Sequence, residues 1–323
     1  MPSETRSVGV RTSYSSNTPV VPTATVAALT TGRARRHRGS SAEAMYRSSI
    51  PGRIEEPEHN STGGSEIPNA IDHNRTRPDK TGAFESPGVE GRAMTVVAFD
   101  FDGTLSDSEM TVLLGQQCDR VGPGGRDGQS VAAQMDEITH RSMNDEIPYA
   151  ESLRRRCGLL EGLDDDAAQA AFDQVELRPG AADVIQRLRD AGVYVAILTG
   201  GFERGVQAAL EAEGVAVDAV VANRLPVTDG KLTGEVAGPL IEGTKDDALE
   251  VLTAVVGEDR TATIAVGDGA NDLPMLEVAG LSIGFDPKPN VEPSCEIVVD
   301  TMAELDEVLE DKGVFSGAFG QSA

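Results

Sequence analysis

The residues best equipped for chemistry fall in four short runs. Asp100 and Asp102 stand two apart in Phe99-Asp100-Phe101-Asp102-Gly103-Thr104. A carboxylate can attack phosphorus to form an aspartyl-phosphate. A second carboxyl group beside it can protonate the leaving alkoxide, provided its surroundings keep it protonated. Thr199-Gly200-Gly201 offers a hydroxyl and bare backbone N–H groups, the makings of a phosphate cradle at a helix start. Lys245 falls in the first turn of an expected helix, where a cation opposes the helix dipole, so its charge is wanted for something else, namely phosphate. Gly267-Asp268-Gly269-Ala270-Asn271-Asp272 supplies glycines for tight turns and the oxygen ligands that Mg²⁺ prefers. It lacks the alternating acids and terminal Glu of an EF-hand calcium loop. Singly, a hydroxyl-Gly-Gly turn or a lone lysine is commonplace. In this order the four runs point to phosphoryl transfer.

Each run needs an element to hold it. Val96–Phe99 is an apolar run too short for a helix and reads as a buried parallel strand, with Asp100 at its carboxyl end, where open α/β sheets bind ligands. Further strands are expected at Val193–Leu198, Asp218–Ala222, Ala262–Val266, Leu281–Phe285 and Ile297–Val299. Helices are expected at Ala181–Asp190, near Phe202–Glu213 with Gly214 as its stop, after Thr244, and around Leu305–Leu309. Thr244 with Asp247 reads as a capping box, and its helix should bury Ala248, Leu249, Leu252, Val255 and Val256. Asp229-Gly230, between Leu225–Val227 and Lys231–Thr233, signals a type I′ hairpin. Strands alternating with helices predict an α/β doubly wound parallel sheet. Glu109–Phe172 reads as mainly helical, with segments near Val131–Met143 and Tyr149–Leu159, and so forms a small helical cap inserted after the first strand. The expected division is 94–107 and 173–315 for the sheet core, 108–172 for the cap, and 316–323 for a flexible tail.

The chain has 323 residues and a formal charge of −25. Residues 94–323 hold 16 of the 28 basic and 43 of the 53 acidic residues. Such a surface repels nucleic acid and anionic membranes. It suits a halophilic cytoplasm, where salt screens the self-repulsion. Cys118, Cys157 and Cys295 have neither disulfide-framework nor zinc spacing. No apolar run has the length to span a bilayer. Val20–Leu29 precedes its basic cluster, Arg33–Arg38, the reverse of a secretory signal, so a cytoplasmic protein is expected. Residues 1–93, rich in Ser, Thr, Gly, Pro and Arg, read as disordered or as a misassigned extension upstream of Met94.

Together these motifs resemble the haloacid dehalogenase superfamily, each on the expected element. Over roughly residues 94–312 they look like its phosphoserine phosphatase family. Tyr149-Ala150-Glu151-Ser152-Leu153-Arg154-Arg155-Arg156 is similar to that family's cap segment. Ala222-Asn223-Arg224-Leu225, Asp229-Gly230-Lys231-Leu232-Thr233-Gly234 and Val266–Asp272 match as well. The resemblance implies Asp100 as nucleophile and Mg²⁺ ligand. It makes Asp102 the general acid, then the base, with its carbonyl on the metal, and Asp268 the remaining metal ligand. Thr199, Gly200 and Lys245 would hold phosphoryl oxygens, supported by Gly201. Asn271 and Asp272 would hold substrate, lysine or metal-bound water. Glu109 corresponds to the substrate-ammonium site and Arg156 to the carboxylate site, where a bidentate fork suits the ligand. Met143 and Tyr149 match apolar cap residues that close over the site. Two departures stand out: Thr199 replaces the usual Ser, and Cys118–Gln129 is Gly-rich and unlike the family.

The expectation is an Mg²⁺-dependent phosphomonoesterase releasing serine and phosphate from O-phospho-L-serine. The alternatives are a phosphatase or phosphotransferase for another small phosphate ester, or a non-catalytic phospho-ligand binder. No nucleic-acid or membrane partner is expected. Oligomeric state stays open, a homodimer included.

Overall fold

The computed structural model describes residues 24–25, 94–122, 129–143 and 146–320. In chain order the strands are β1 (Ala24–Thr25), β2 (Val96–Phe99), β3 (Tyr194–Phe202), β4 (Ala219–Asn223), β5 (Val227–Thr228), β6 (Lys231–Leu232), β7 (Thr263–Gly267), β8 (Leu281–Phe285) and β9 (Ile297–Val299). The helices are α1 (Met110–Val121), α2 (Val131–Met143), α3 (Tyr149–Gly158), α4 (Asp165–Phe172), α5 (Ala181–Asp190), α6 (Glu203–Glu213), α7 (Lys245–Val256), α8 (Leu273–Leu276) and α9 (Met302–Asp311).

The main sheet is parallel, in the order β1-β4-β3-β2-β7-β8-β9. Every residue of β2 is fully buried, because β3 and β7 flank it and both faces are covered. Val97 and Phe99 enter one apolar cluster, Val96 and Ala98 the other, as the two-residue period of a strand requires. The chain leaves β2 for β3 and β4 on one side, then returns to β7 on the other. The carboxyl end of β2 is therefore the switch point of the sheet, where a crevice opens.

Several expectations shift. β3 runs on through Thr199-Gly200-Gly201 to Phe202, with its register slipping between Leu198 and Phe202. The Thr-Gly-Gly run is thus an irregular strand end, and α6 starts only at Glu203. The carboxyl end of β7 takes in Gly267, after a 3-10 turn over Arg260–Ala262. The Thr244 capping box does not form: its hydroxyl donates to the Asp247 carboxylate at 3.2 Å and caps no backbone N–H. Val255 is 64% exposed, so α7 buries Lys245, Leu249, Leu252 and Thr253, while Ala248 and Val256 are half-buried. Ala24–Thr25 forms a strand on the β4 edge that the sequence reading did not anticipate. Phe319, placed by that reading in a tail, packs against the core.

The hairpin is present, with Asp229 at φ 51° and Gly230 at φ 74°, the pair a type I′ turn needs. It is stitched to the cap. Gly162 N–H donates to Leu232 O at 2.9 Å, and Leu232 N–H to Leu163 O at 2.8 Å. Asp165 N–H donates to Gly230 O at 2.9 Å. Lys231 adds an ion pair to Asp164 at 2.7 Å. The cap helices also share apolar contacts with the sheet layer, Met110, Leu114 and Phe172 joining Phe202 and Val206 in one cluster.

Candidate active site

Asp100 follows β2 directly and is 3% exposed. Its Oδ1 accepts the Phe101 N–H at 2.7 Å and pairs with Lys245 Nζ at 2.6 Å. Lys245 opens α7, itself 3% exposed, and its Nζ also binds Asp272 Oδ1. These two carboxylates answer why a lysine sits buried at a helix start. Burial works to lower the Lys245 pKa, but Asp100 and Asp272 outweigh it and hold the ammonium charged. Asp272 is fully buried, and its Oδ2 accepts the N–H groups of Asp268 at 3.0 Å and Gly269 at 2.8 Å. It is a brace, tying the loop after β7 to Lys245.

Asp268 points toward the turn after β2: a Cβ on Gly103 would come within 2.7 Å of its carboxyl atoms, and Gly103 has φ 89°. Only glycine meets both conditions. Carboxylate oxygens of Asp100, Asp268 and Asp272 lie within 4.8 Å of one another. Burial raises the Asp100 pKa, with Asp272 adding to it and Lys245 opposing. Burial likewise raises Asp268. Three carboxylates face two lysines here, Lys245 and Lys288, and all the cluster's donors are oxygen, a fit to a small hard cation.

Asp102 is part-buried, and among the described residues its Oδ1 has no hydrogen-bond partner. Burial first, then the charges of Glu109 and Asp268, push its pKa to about 8 despite Lys245 and a bond from the Met110 N–H. Its Oδ2 lies over Gly201, where a Cβ would come within 2.7 Å. Thr199 is 1% exposed and its hydroxyl accepts the Gly201 N–H at 2.9 Å. Asn223, at the end of β4, donates to Gly200 O at 3.0 Å and fixes the Thr199–Gly201 segment from behind.

The cap reaches the site through Tyr149, whose hydroxyl is 3.5 Å from Gly200 O. On the same helix, Arg156 Nη1 donates to Thr111 Oγ1 at 3.3 Å, and its Nε is buried without a partner among the described residues. Glu109 is the exposed N-cap of α1, close enough to act electrostatically on Asp102 and Lys288. Asn271 is exposed on the loop after β7. The Met143 side chain lies outside the described residues.

Two contributors were not found from sequence. Arg178 donates to Gly103 O at 2.9 Å, pairs with Asp107, and lies over the Phe285 ring at 5.1 Å. It clamps the turn that carries Asp102. Lys288, after β8, pairs with Asp268 Oδ2 at 3.1 Å. Its place just past a strand on the ligand-binding edge was the available signal.

Residues 97–277 match the family model of haloacid dehalogenase-like hydrolases. A phosphoserine phosphatase of Halobacterium salinarum is 52% identical over 221 residues, spanning 68% of this chain and all of that protein. One from Methanocaldococcus jannaschii is 33% identical over 216 residues, 67% of this chain and 96% of the relative. Among solved structures, a phospho-aspartyl intermediate analogue of phosphoserine phosphatase superposes with a TM-score of 0.59 at 33% identity, covering 68% of this chain and 99% of that one. A substrate-bound phosphoserine phosphatase complex gives 0.59 at 32% identity, covering 68% and 98%. With its aspartates at the sheet's switch point and these likenesses along the same residues, the chain belongs to the haloacid dehalogenase-like hydrolase family, on the branch occupied by the phosphoserine phosphatases.

Proposed function

We propose that this enzyme hydrolyses O-phospho-L-serine to L-serine and phosphate through a phosphorylated Asp100. The observation that carries the chemistry is the pairing of a lysine-held carboxylate, Asp100, with the carboxyl group of Asp102, whose buried Oδ1 has no partner among the described residues and whose pKa burial pushes up to about 8. Both bonds to Asp100 fall on Oδ1, which leaves Oδ2 to attack. As the Asp100–phosphorus bond forms and the ester P–O bond breaks, Asp102 gives its proton to the serine oxygen. Asp102, now a carboxylate, takes a proton from the water that attacks phosphorus. The acyl-phosphate bond then breaks, returning Asp100 and releasing phosphate.

Asp100 and Asp268 would hold Mg²⁺, with Asp102 adding its carbonyl. The ion would supply charge neutralisation at the phosphoryl oxygens. Lys245 and the Thr199–Gly201 segment hold those oxygens from the protein side. Substrate choice rests with the cap. The partnerless Nε of Arg156 suits a carboxylate, and the exposed Glu109 carboxylate suits an ammonium group. The identity of the relatives supports the same substrate.

The test is phosphate release in molar salt with Mg²⁺ from phosphoserine, phosphothreonine, phosphoglycolate and sugar phosphates, for wild type, Asp100→Asn and Arg156→Ala. Phosphoserine should lead by orders of magnitude, Asp100→Asn should be inactive, and Arg156→Ala should lose the preference. Another ester leading, with Arg156→Ala unaffected, would overturn the substrate assignment.

A further inference from the structure

Lys288 has no part in the chemistry above, yet it is mounted with care. It lies between Pro287 and Pro289, in the loop after β8 that Asp286 enters at φ 41°. Its N–H donates to Asp268 O at 2.9 Å, and its own carbonyl accepts the N–H groups of Val291 at 2.8 Å and Glu292 at 3.1 Å. Both backbone groups are thus occupied, and two rings restrict the flanking dihedrals. From this base the side chain reaches Asp268 Oδ2 at 3.1 Å, with its end still half-exposed. A Cβ on Gly269 would lie 3.5 Å from Nζ, so the ammonium passes over the loop that carries Asp268.

We propose that Lys288 is a positioning residue that balances the charge of the Asp100–Asp268–Asp272 cluster and lowers its affinity for a divalent cation. The two lysines divide the task. Lys245 is buried and tied to Asp100 and Asp272, whereas Lys288 makes its ion pair with Asp268 from the solvent side, with Glu109 and Asp272 also acting on it. A fixed positive charge beside a carboxylate competes with any cation that carboxylate would bind. A weakly held ion is one that can exchange as substrate arrives and phosphate leaves. This inference rests on the proposed Mg²⁺ site.

The experiment is isothermal titration of Mg²⁺ into metal-free protein at fixed molar salt, for wild type, Lys288→Met and Lys288→Arg, with thermal melts with and without Mg²⁺. Lys288→Met keeps most of the stem and removes the charge. Its Mg²⁺ Kd should fall roughly tenfold, the screened effect of one nearby charge on a divalent ion. Its gain in Tm on adding Mg²⁺ should exceed that of wild type, and Lys288→Arg should stay within about twofold of wild type. An unchanged or weaker Mg²⁺ affinity in a folded Lys288→Met protein overturns the role of Lys288 and leaves the metal site standing. No Mg²⁺ binding by wild type overturns both. If Lys288→Met does not fold, Lys288→Gln is titrated against the same criteria.

Discussion

Replacing Asp102 with Asn should cut turnover sharply and yet stabilise the metal-free protein. The carboxyl has a pKa of about 8 in the folded chain, against 3.8 as its ordinary value. At pH 7 the unfolded chain carries it ionised, while the folded chain must hold it protonated. Folding therefore takes up a proton, and stability falls as pH rises from about 4 to about 8. At 1.36 kcal/mol per pH unit this is about 4 kcal/mol at pH 7. Asn is neutral at every pH and removes the penalty. For a domain of this size that corresponds to a rise in Tm of roughly 8–16 °C. The assay is scanning calorimetry in EDTA at constant molar salt, at pH 7.5 and again near pH 4. The gain should be full at pH 7.5 and largely lost near pH 4, where the folded carboxyl is protonated and the unfolded one is close to half protonated. Turnover should fall by about 10²–10⁴, the usual contribution of a proton donor. An Asn variant no more stable than wild type at pH 7.5, or equally stabilised at both pH values, would refute the electrostatic reasoning.

Lys245→Met leaves Asp100 and Asp272 buried without their shared cation, and should cost about 3–5 kcal/mol of stability by denaturant titration. Gly200→Ala would place a methyl group against the Tyr149 hydroxyl; kcat/KM should fall by up to about 10²-fold, and Tyr149→Phe in the same chain should restore part of it. Arg178→Met frees Gly103 O and Asp107, so kcat should drop by roughly tenfold or more through a loosened Asp102 turn, with Mg²⁺ affinity close to wild type. Chelating divalent ions should stop phosphate release, and Mg²⁺ should restore it in full.

Much of this site was legible because each chemical run abuts a run with a clear period. Val96–Phe99 could only be a buried strand, so Asp100 had to emerge at a sheet edge. Val266–Asp272 repeats that logic on the neighbouring strand. Ala181–Asp190, Leu281–Phe285 and Ile297–Val299 fall where their apolar spacing puts them. Pattern alone did not resolve the end of β3, where two glycines carry no side-chain period. It overextended the buried face of α7 to Val255, because a valine reads as apolar whether or not anything covers it.

The sequence by itself placed Asp100, Asp102 and Lys245 at a strand end and a helix start, since those positions depend on residue type and on local strand and helix signals, and the proposed roles build on that placement. Only the tertiary structure decided how their charges are shared. Asp272 spends both its oxygens on Lys245 and two N–H groups, Asp102 is pushed to about 8 by burial and by Glu109, and Lys288 and Arg178 arrive from distant loops. Those relations join residues far apart in the chain, and their strength depends on the exclusion of water, which exists only once the layers have packed.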